Sequence, residues 1–336
     1  MTMKSHAKDI WDRTKRRAIS RRPPGVVDDP LPQRIEVFVR RRLLHFNRLW
    51  LRARSAGTHA GTAPERPIFI LGCPRSGTTL LFRLLRRHEL LGAPLGEGHI
   101  LWNTYQHPRL KGWTSDRLTA DDIHPDEPGR IYAGITKIAG SARFMDKTPR
   151  SSLRVPYLNE LFPDAVFVLL KRNGPDTVSS LIEGWTLRHG MSYRLPEPLD
   201  LAEYKGRFWC YLLPPGWREW SHSSIPEVAA LQYVSSYETA LADLAHIPKE
   251  RILELRFEDL LARPEMEIAR ILEGLGLPPS KAVTAMASDL GAHPVQTTSP
   301  PRPDKWRDRE DQIRPIMPLI APTMAKLGYD TTLELL

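Results

Sequence analysis

The chain has 336 residues, 41% hydrophobic and 26% charged, the proportions of a folded globular protein with room for one large core. Two cysteines, Cys73 and Cys210, exclude a disulfide scaffold and a cysteine zinc site, and without a run of about 18 apolar residues no transmembrane helix is predicted. The net charge of +9 is uneven: residues 1–66 carry +10 and the other 270 carry about −1, so the basic character belongs to the leader and nucleic-acid binding is not expected of the body.

The opening residues, MTMKSHAKDIWDRTKRR, have no apolar stretch after their charges, so they are not read as a secretory signal, and a cytoplasmic location is expected. Residues 1–65 read as a basic helical extension and 66–336 as a single α/β domain. Within the extension, Ile35, Phe38, Val39, Leu43, Phe46, Leu49 and Trp50 recur in steps of three and four, one face of an amphipathic helix over 33–54. Two readings stand for that face. It packs on the domain or on a second copy of the chain, or it lies on an anionic membrane surface.

From residue 67 the pattern alternates. PIFILG reads as a buried strand, TTLLFRLLRRH as a helix, RFMDK as a strand and SLRVPYLNELF as a helix. AVFVLLKR is the clearest strand, followed by the helix PDTVSSLIEGW. PEVAALQYVSSYETALADLAHI reads as a long helix, RILELRF as a strand and PEMEIARILEGLGLP as a helix; a proline-broken helical tail, DQIRPIMPLIAPTMAKLGYD, closes the chain. Such alternation implies a central parallel sheet flanked by helices on both faces. Two stretches, about 186–225 and 292–310, read as irregular and stand outside it. The first holds Tyr193, Tyr204, Phe208, Trp209, Tyr211, Trp217 and Trp220, which form either ordinary core or the wall of an acceptor pocket.

The strongest signal is IFILGCPRSGTTL at 68–80. Gly72 and Gly77 have the spacing of a phosphate-binding P-loop, but Thr78 stands where that loop has its lysine. A strand running through a glycine turn into a helix aims free N–H groups at an anion. Thr78 and Thr79 add hydroxyls, and Arg75 adds a planar fork. Without the lysine that serves a triphosphate and magnesium, the loop suits a different phosphate chain, one needing no metal. Arg172, just past a strand, and Ser180, eight residues on, can converge on one phosphate; Arg172 in a surface ion pair is the plainer alternative.

IFILGCPRSGTTLL, MDKTPR, VFVLLKRNGPDTVSSL and LELRFEDLLARPEMEIARILEGLGLP, in this order and spacing, resemble the sulfotransferases that use 3′-phosphoadenosine 5′-phosphosulfate (PAPS). The similarity covers about residues 66–330. DKWR followed by a helix ending LGYD is similar to the closing segment of bacterial members. The resemblance implies a three-layer P-loop-type fold with PAPS as co-substrate and no metal. It implies that Arg75, Ser76, Gly77, Thr78 and Thr79 wrap the 5′-phosphate, with Arg75 also near the reacting centre. It further implies that Arg172 and Ser180 hold the 3′-phosphate and that Lys147 steadies the bridging oxygen. Lys305, Trp306 and Arg307 are expected to close over the nucleotide. Phe257 departs from a frequent tyrosine, so a hydroxyl contact to adenine is expected to be missing.

Sulfuryl transfer to an alcohol needs a base. Related cytosolic enzymes carry a histidine in KTH, and here Pro149 takes that place in KTPR. Other branches, tyrosylprotein and several bacterial enzymes, use a glutamate in a GE motif. APLGEGHILW places Glu97 22 residues beyond Arg75, so Glu97 is assigned as general base. His99 either shares the proton, orients the acceptor, or is a loop histidine with no role. Asp146 is read as a structural partner of Lys147. The acceptor, a hydroxyl on a small metabolite, glycan or lipid, is not named by any motif. Two other classes compete: a P-loop nucleotide kinase, which Thr78 argues against, and a non-catalytic nucleotide-binding protein, which Glu97 and Lys147 argue against.

Overall fold

The structure is a computed structural model that describes residues 62–188, 190–290 and 304–333. The expected helix over 33–54 and most of the 292–310 stretch lie outside the described residues. In chain order the elements are β1 (Ile68–Leu71), α1 (Thr78–Leu85), β2 (Leu91–Gly92), α2 (His99–Gln106), α3 (Glu127–Ala139), β3 (Arg143–Lys147), α4 (Val155–Leu161), β4 (Val166–Lys171) and α5 (Gly174–Thr186). They continue with β5 (Met191–Leu201), β6 (Tyr204–Cys210), α6 (Ile225–Leu244), β7 (Ile252–Arg256), α7 (Phe257–Ala262), α8 (Pro264–Gly274), α9 (Lys281–Ser288), α10 (Glu310–Ile313) and α11 (Met317–Lys326).

Five strands form one parallel sheet in the order β2-β3-β1-β4-β7. Side chains alternate across it as strand geometry requires. Phe69, Leu71, Phe144, Phe167 and Leu169 enter one core; Ile68, Ile70, Met145, Val166, Val168 and Leu170 enter the other. The first core lies under α4, α5 and α6, the second under α1, α8 and α9. Burial of each large apolar side chain is worth roughly 1.5–3 kcal/mol, and with both faces covered the central strands read as unbroken apolar runs.

The helices begin where their sequences say. Ser224 and Glu227 form a reciprocal capping box at the start of α6, with Pro226 in its first turn. Asn173 caps α5 by accepting from the Asp176 N–H at 2.9 Å. Two tyrosines of α6 then fix the end of β4: Tyr237 donates to the Leu170 carbonyl at 3.1 Å and Tyr233 to the Arg172 carbonyl at 3.2 Å.

The segment 186–225 departs from expectation. Residues 191–210 of it form an antiparallel ribbon of β5 and β6, with Tyr193 opposite Trp209 and Leu201 opposite Tyr204. Most of its aromatics are core: Tyr193, Tyr204, Phe208, Trp209 and Trp217 are all buried. Trp209 stands edge-on to Trp185 of α5 at 5.2 Å and to Trp217 at 5.6 Å. The prolines and strand shifts around 194–199 hide the period-two pattern, which is why the ribbon reads as a loop. Gln232, fully buried on α6, ties it down by donating to the Cys210 and Leu212 carbonyls and accepting from the Trp185 indole.

Candidate active site

All five parallel strands point their carboxyl ends at one rim, the side where open α/β sheets bind ligands. Each delivers residues there. β1 leads into the glycine loop, β2 into Glu97 and His99, β3 ends in Lys147, β4 leads to Arg172 and β7 to Phe257.

The loop itself is held tightly. Gly77 has φ of 100°, and a Cβ there would lie 2.2 Å from the Phe257 ring. Glycine is therefore required both for conformation and for the aromatic shelf beside it. Arg75 also has positive φ, 72°, an uncommon conformation for a side-chain-bearing residue. Its Nε donates to Ser180 Oγ at 3.1 Å, and its carbonyl accepts from Arg172 Nη1 at 2.9 Å. The structure thus brings Arg75, Arg172 and Ser180 to one corner. Arg172 lies over the Phe257 ring at 4.5 Å, and its buried Nε has no hydrogen-bond partner among the described residues. Burial lowers its pKa against the pull of Asp176 and Glu258. Ser76 and Thr78 are buried, so their side chains face the fold, while the Thr79 hydroxyl receives Lys147 Nζ at 3.1 Å.

Lys147 opens a second cluster. Its Nζ lies 2.6 Å from Glu97 Oε1, and Glu97 Oε2 lies 2.5 Å from His99 Nε2. His99 Nδ1 is 3.4 Å from the Thr148 hydroxyl. A chain of contacts therefore runs from the glycine loop through Thr79, Lys147 and Glu97 to His99. Burial opposes charge on Glu97, but Lys147 and His99 outweigh it and hold the carboxyl far below its usual range. Burial and the charge of Arg150 lower the His99 pKa despite Glu97, favouring a neutral ring. Its Nε2–H then donates to Glu97, and Nδ1 accepts from Thr148.

Asp146 positions this cluster. Its carboxylate accepts from the Gly98 N–H and the Trp102 indole, both at 2.8 Å, which pins the entry to α2 behind Glu97 and His99. Burial, reinforced by Glu97, raises its pKa against these two donors. Ser152, on the turn after β3, ties down the start of the glycine loop, accepting from the Gly72 N–H at 2.8 Å and donating to its carbonyl at 3.1 Å.

The closing segment packs along α5. Lys305 Nζ meets Glu183 Oε2 at 2.7 Å, the Trp306 N–H donates to Asp176 Oδ1 at 3.2 Å, and Arg307 lies over the Trp306 ring at 4.6 Å. Asp176, Ser180 and Glu183 recur at helical spacing, so this segment shares a helix face with Ser180.

Tyr211, one of the aromatics that the sequence leaves as core or pocket wall, has φ of 63° and a buried hydroxyl without a partner among the described residues; that oxygen lies 1.6 Å from where a Gly184 Cβ would stand, so Gly184 makes room for it. Asp116, Arg154 and Asn103 carried no signal of their own. Arg150 stands in KTPR, directly after Pro149. Among the described residues, no group of three His, Cys, Asp or Glu side chains could hold a metal ion, and no helix is long and apolar enough to cross a membrane.

The fold and rim define an α/β protein of the P-loop type, with a corner of two arginines and a serine beside a lysine–glutamate–histidine cluster. The chain belongs to the sulfotransferase family, whose sequence profile matches residues 67–281. It is 28% identical over 241 residues to nodulation protein NoeE of Sinorhizobium fredii, covering 65% of this chain and 51% of NoeE. The chain thus spans about half of that relative's length. It is 24% identical over 289 residues to a putative protein-tyrosine sulfotransferase of Caenorhabditis briggsae, 80% of this chain and 90% of that protein. Its fold is similar to that of sulfotransferase STF9 from Mycobacterium avium, with a TM-score of 0.55 and 16% identity over 80% of this chain and 78% of that one.

Proposed function

We propose that the protein transfers a sulfuryl group from PAPS to a hydroxyl of a small metabolite, glycan or lipid, with Glu97 as general base. The observation that carries this reading is the continuous contact from the phosphate loop through Thr79 and Lys147 to Glu97. It joins a site for a leaving phosphate to a site for an attacking hydroxyl.

When bound, the donor supplies an electrophilic sulfur linked to a 5′-phosphate leaving group. The free N–H groups at the start of α1 and the Arg75 fork suit that phosphate. Arg172, with its buried unpartnered Nε, and Ser180 suit the 3′-phosphate. Phe257, packed against Gly77 and under Arg172, has no hydroxyl to offer adenine. Lys305, Trp306 and Arg307 run along the Ser180 face of α5 and suit a cover over the nucleotide.

The acceptor O–H proton passes to Glu97 as the new O–S bond forms. The bridging S–O bond breaks, and its electron pair stays on the phosphate oxygen. Lys147 stabilises the charge that builds there. Turning Lys147 toward that oxygen also releases Glu97 from its closest cation, so the carboxylate becomes a stronger base when the donor is in place. His99 orients the carboxylate through its second oxygen.

Calorimetric titration with adenosine 3′,5′-bisphosphate, ATP and AMP, with and without magnesium, tests the donor. Tight binding of the bisphosphate that is indifferent to magnesium supports PAPS. Preference for ATP with magnesium overturns the reading in favour of a kinase.

A further inference from the structure

We propose that Asp176 couples the donor's 3′-phosphate to the closing segment, because one carboxylate serves both the arginine that would bind the phosphate and the backbone that would cover it. The proposal rests on the PAPS reading and adds a positioning residue to that site.

Asp176 stands in the first turn of α5, four residues after Arg172 and one turn before Ser180. It is buried, and its place is fixed from three sides. Its N–H donates to Asn173 Oδ1 at 2.9 Å, its Oδ2 accepts from Asn173 Nδ2 at 3.1 Å, and its Oδ1 accepts from the Trp306 N–H at 3.2 Å. Asn173 is anchored in turn. Its N–H and Nδ2 donate to Glu258 Oε1 at 3.0 and 2.9 Å, and Glu258 Oε2 accepts from the Tyr329 hydroxyl at 2.7 Å. The closing segment therefore ends on the network that frames Arg172. Lys305 meets Glu183 two turns further along α5, which anchors the segment whether or not a phosphate is present.

Arg172 draws on this network without bonding to it. Its Nη1 donates to the Arg75 carbonyl, and its Nε has no partner among the described residues. Burial works against its charge; Asp176 gives the largest opposing pull, followed by Glu258. The arginine is thus kept charged from a distance, with a donor left over for an anion. The Trp306 N–H on Asp176 offsets part of that carboxylate's charge, so a docked closing segment loosens the pull on Arg172 and frees it for a phosphate. A phosphate on Arg172 in turn replaces Asp176 as counter-charge, and the carboxylate then holds the Trp306 N–H more strongly. Each event favours the other, and the coupling is reciprocal.

Trypsin cuts after Lys305, Arg307 and Arg309, so limited proteolysis of the full-length protein, read by mass spectrometry at those bonds, reports docking of the segment. At saturation, adenosine 3′,5′-bisphosphate should slow these cuts about fivefold or more beyond AMP, the lower end of coupling between sites. Two variants then test Asp176. Asp176→Asn keeps an oxygen for the Trp306 N–H, loses the hydrogen bond from Asn173 Nδ2, and removes the charge. Asp176→Glu keeps the charge and shifts the oxygens by one methylene. Each should bring protection by the two nucleotides to within about twofold of one another, with AMP affinity within about twofold of the unsubstituted protein. A structural lesion alone would lower protection by both nucleotides together. Either variant suffices where the other fails to fold, and the comparison in the unsubstituted protein needs neither. Equal protection by the two nucleotides in that protein overturns the proposal. So does a difference that survives in a folded Asp176 variant, since the phosphate then acts on the segment directly. Absence of bisphosphate binding to the unsubstituted protein instead removes the donor reading, and the proposal falls with it.

Discussion

Glu97→Gln separates the base from the binding site, because the structure predicts opposite effects on turnover and donor affinity. The amide is nearly isosteric. Its oxygen can keep the contact with Lys147, and its NH2 then faces His99 Nε2. A neutral His99 accommodates this by moving its proton to Nδ1, where the Thr148 hydroxyl can accept it. What disappears is the proton acceptor, so kcat should fall about 10²–10⁴-fold. Donor binding should not weaken. Lys147 is held by a charge-assisted bond to Glu97 at 2.6 Å. Exchanging a charged hydrogen bond for a neutral one releases roughly 1 kcal/mol of hold on that lysine. Glu97 is 33% exposed, so solvent screening takes part of this away. Affinity for adenosine 3′,5′-bisphosphate should therefore tighten, by no more than about fivefold. Single-turnover sulfate transfer and calorimetry read the two quantities separately. A variant that keeps more than about a tenth of wild-type kcat refutes the base assignment, since general-base removal is worth at least about 10²-fold. A donor affinity that falls in step with kcat refutes the coupling through Lys147.

Arg172→Ala should weaken adenosine 3′,5′-bisphosphate about tenfold or more and leave AMP nearly unchanged; equal loss for both removes Arg172 from the 3′-phosphate. Gly77→Ala places a methyl 2.2 Å from the Phe257 ring at a φ of 100°. Strain and overpacking each cost about 1–3 kcal/mol. The melting temperature should drop by roughly 5 °C or more, with loss of donor binding, and an unchanged melting curve contradicts the packing described. His99 gives a pH signature. Unfolded histidine takes up its proton near pH 6.5, whereas burial and Arg150 delay this in the folded protein, so the unfolded state binds more protons and stability falls as pH drops below about 6.5. Glu97 acts in a lower window: its depressed pKa adds stability above about pH 4.3 that is lost only as pH falls through the folded value. Denaturation at pH 7.5 and 5.5 should show the decline shrinking in His99→Asn; an identical slope in both proteins refutes the depressed histidine.

The parts that were legible in the sequence are those whose physics is local. An apolar run, a glycine turn and a helix start occur within 13 residues at IFILGCPRSGTTL, and each constrains only its neighbours. The same holds for β4, which is an unbroken apolar run because both of its faces are covered. The ribbon of β5 and β6 was lost because Pro196 and Pro198 interrupt the alternation that marks a strand, while its partner strand, not its composition, holds it extended. The pairing of Lys147 with Glu97 spans 50 residues, yet each residue stood in a motif of its own, so the pair could be anticipated from two local signals. Asp116 had no such help. It lies in no motif and meets Arg154 38 residues away, Tyr193 77 away and Leu213 97 away. A buried carboxylate needs all of those donors at once to be tolerated, and only the assembled fold brings them together.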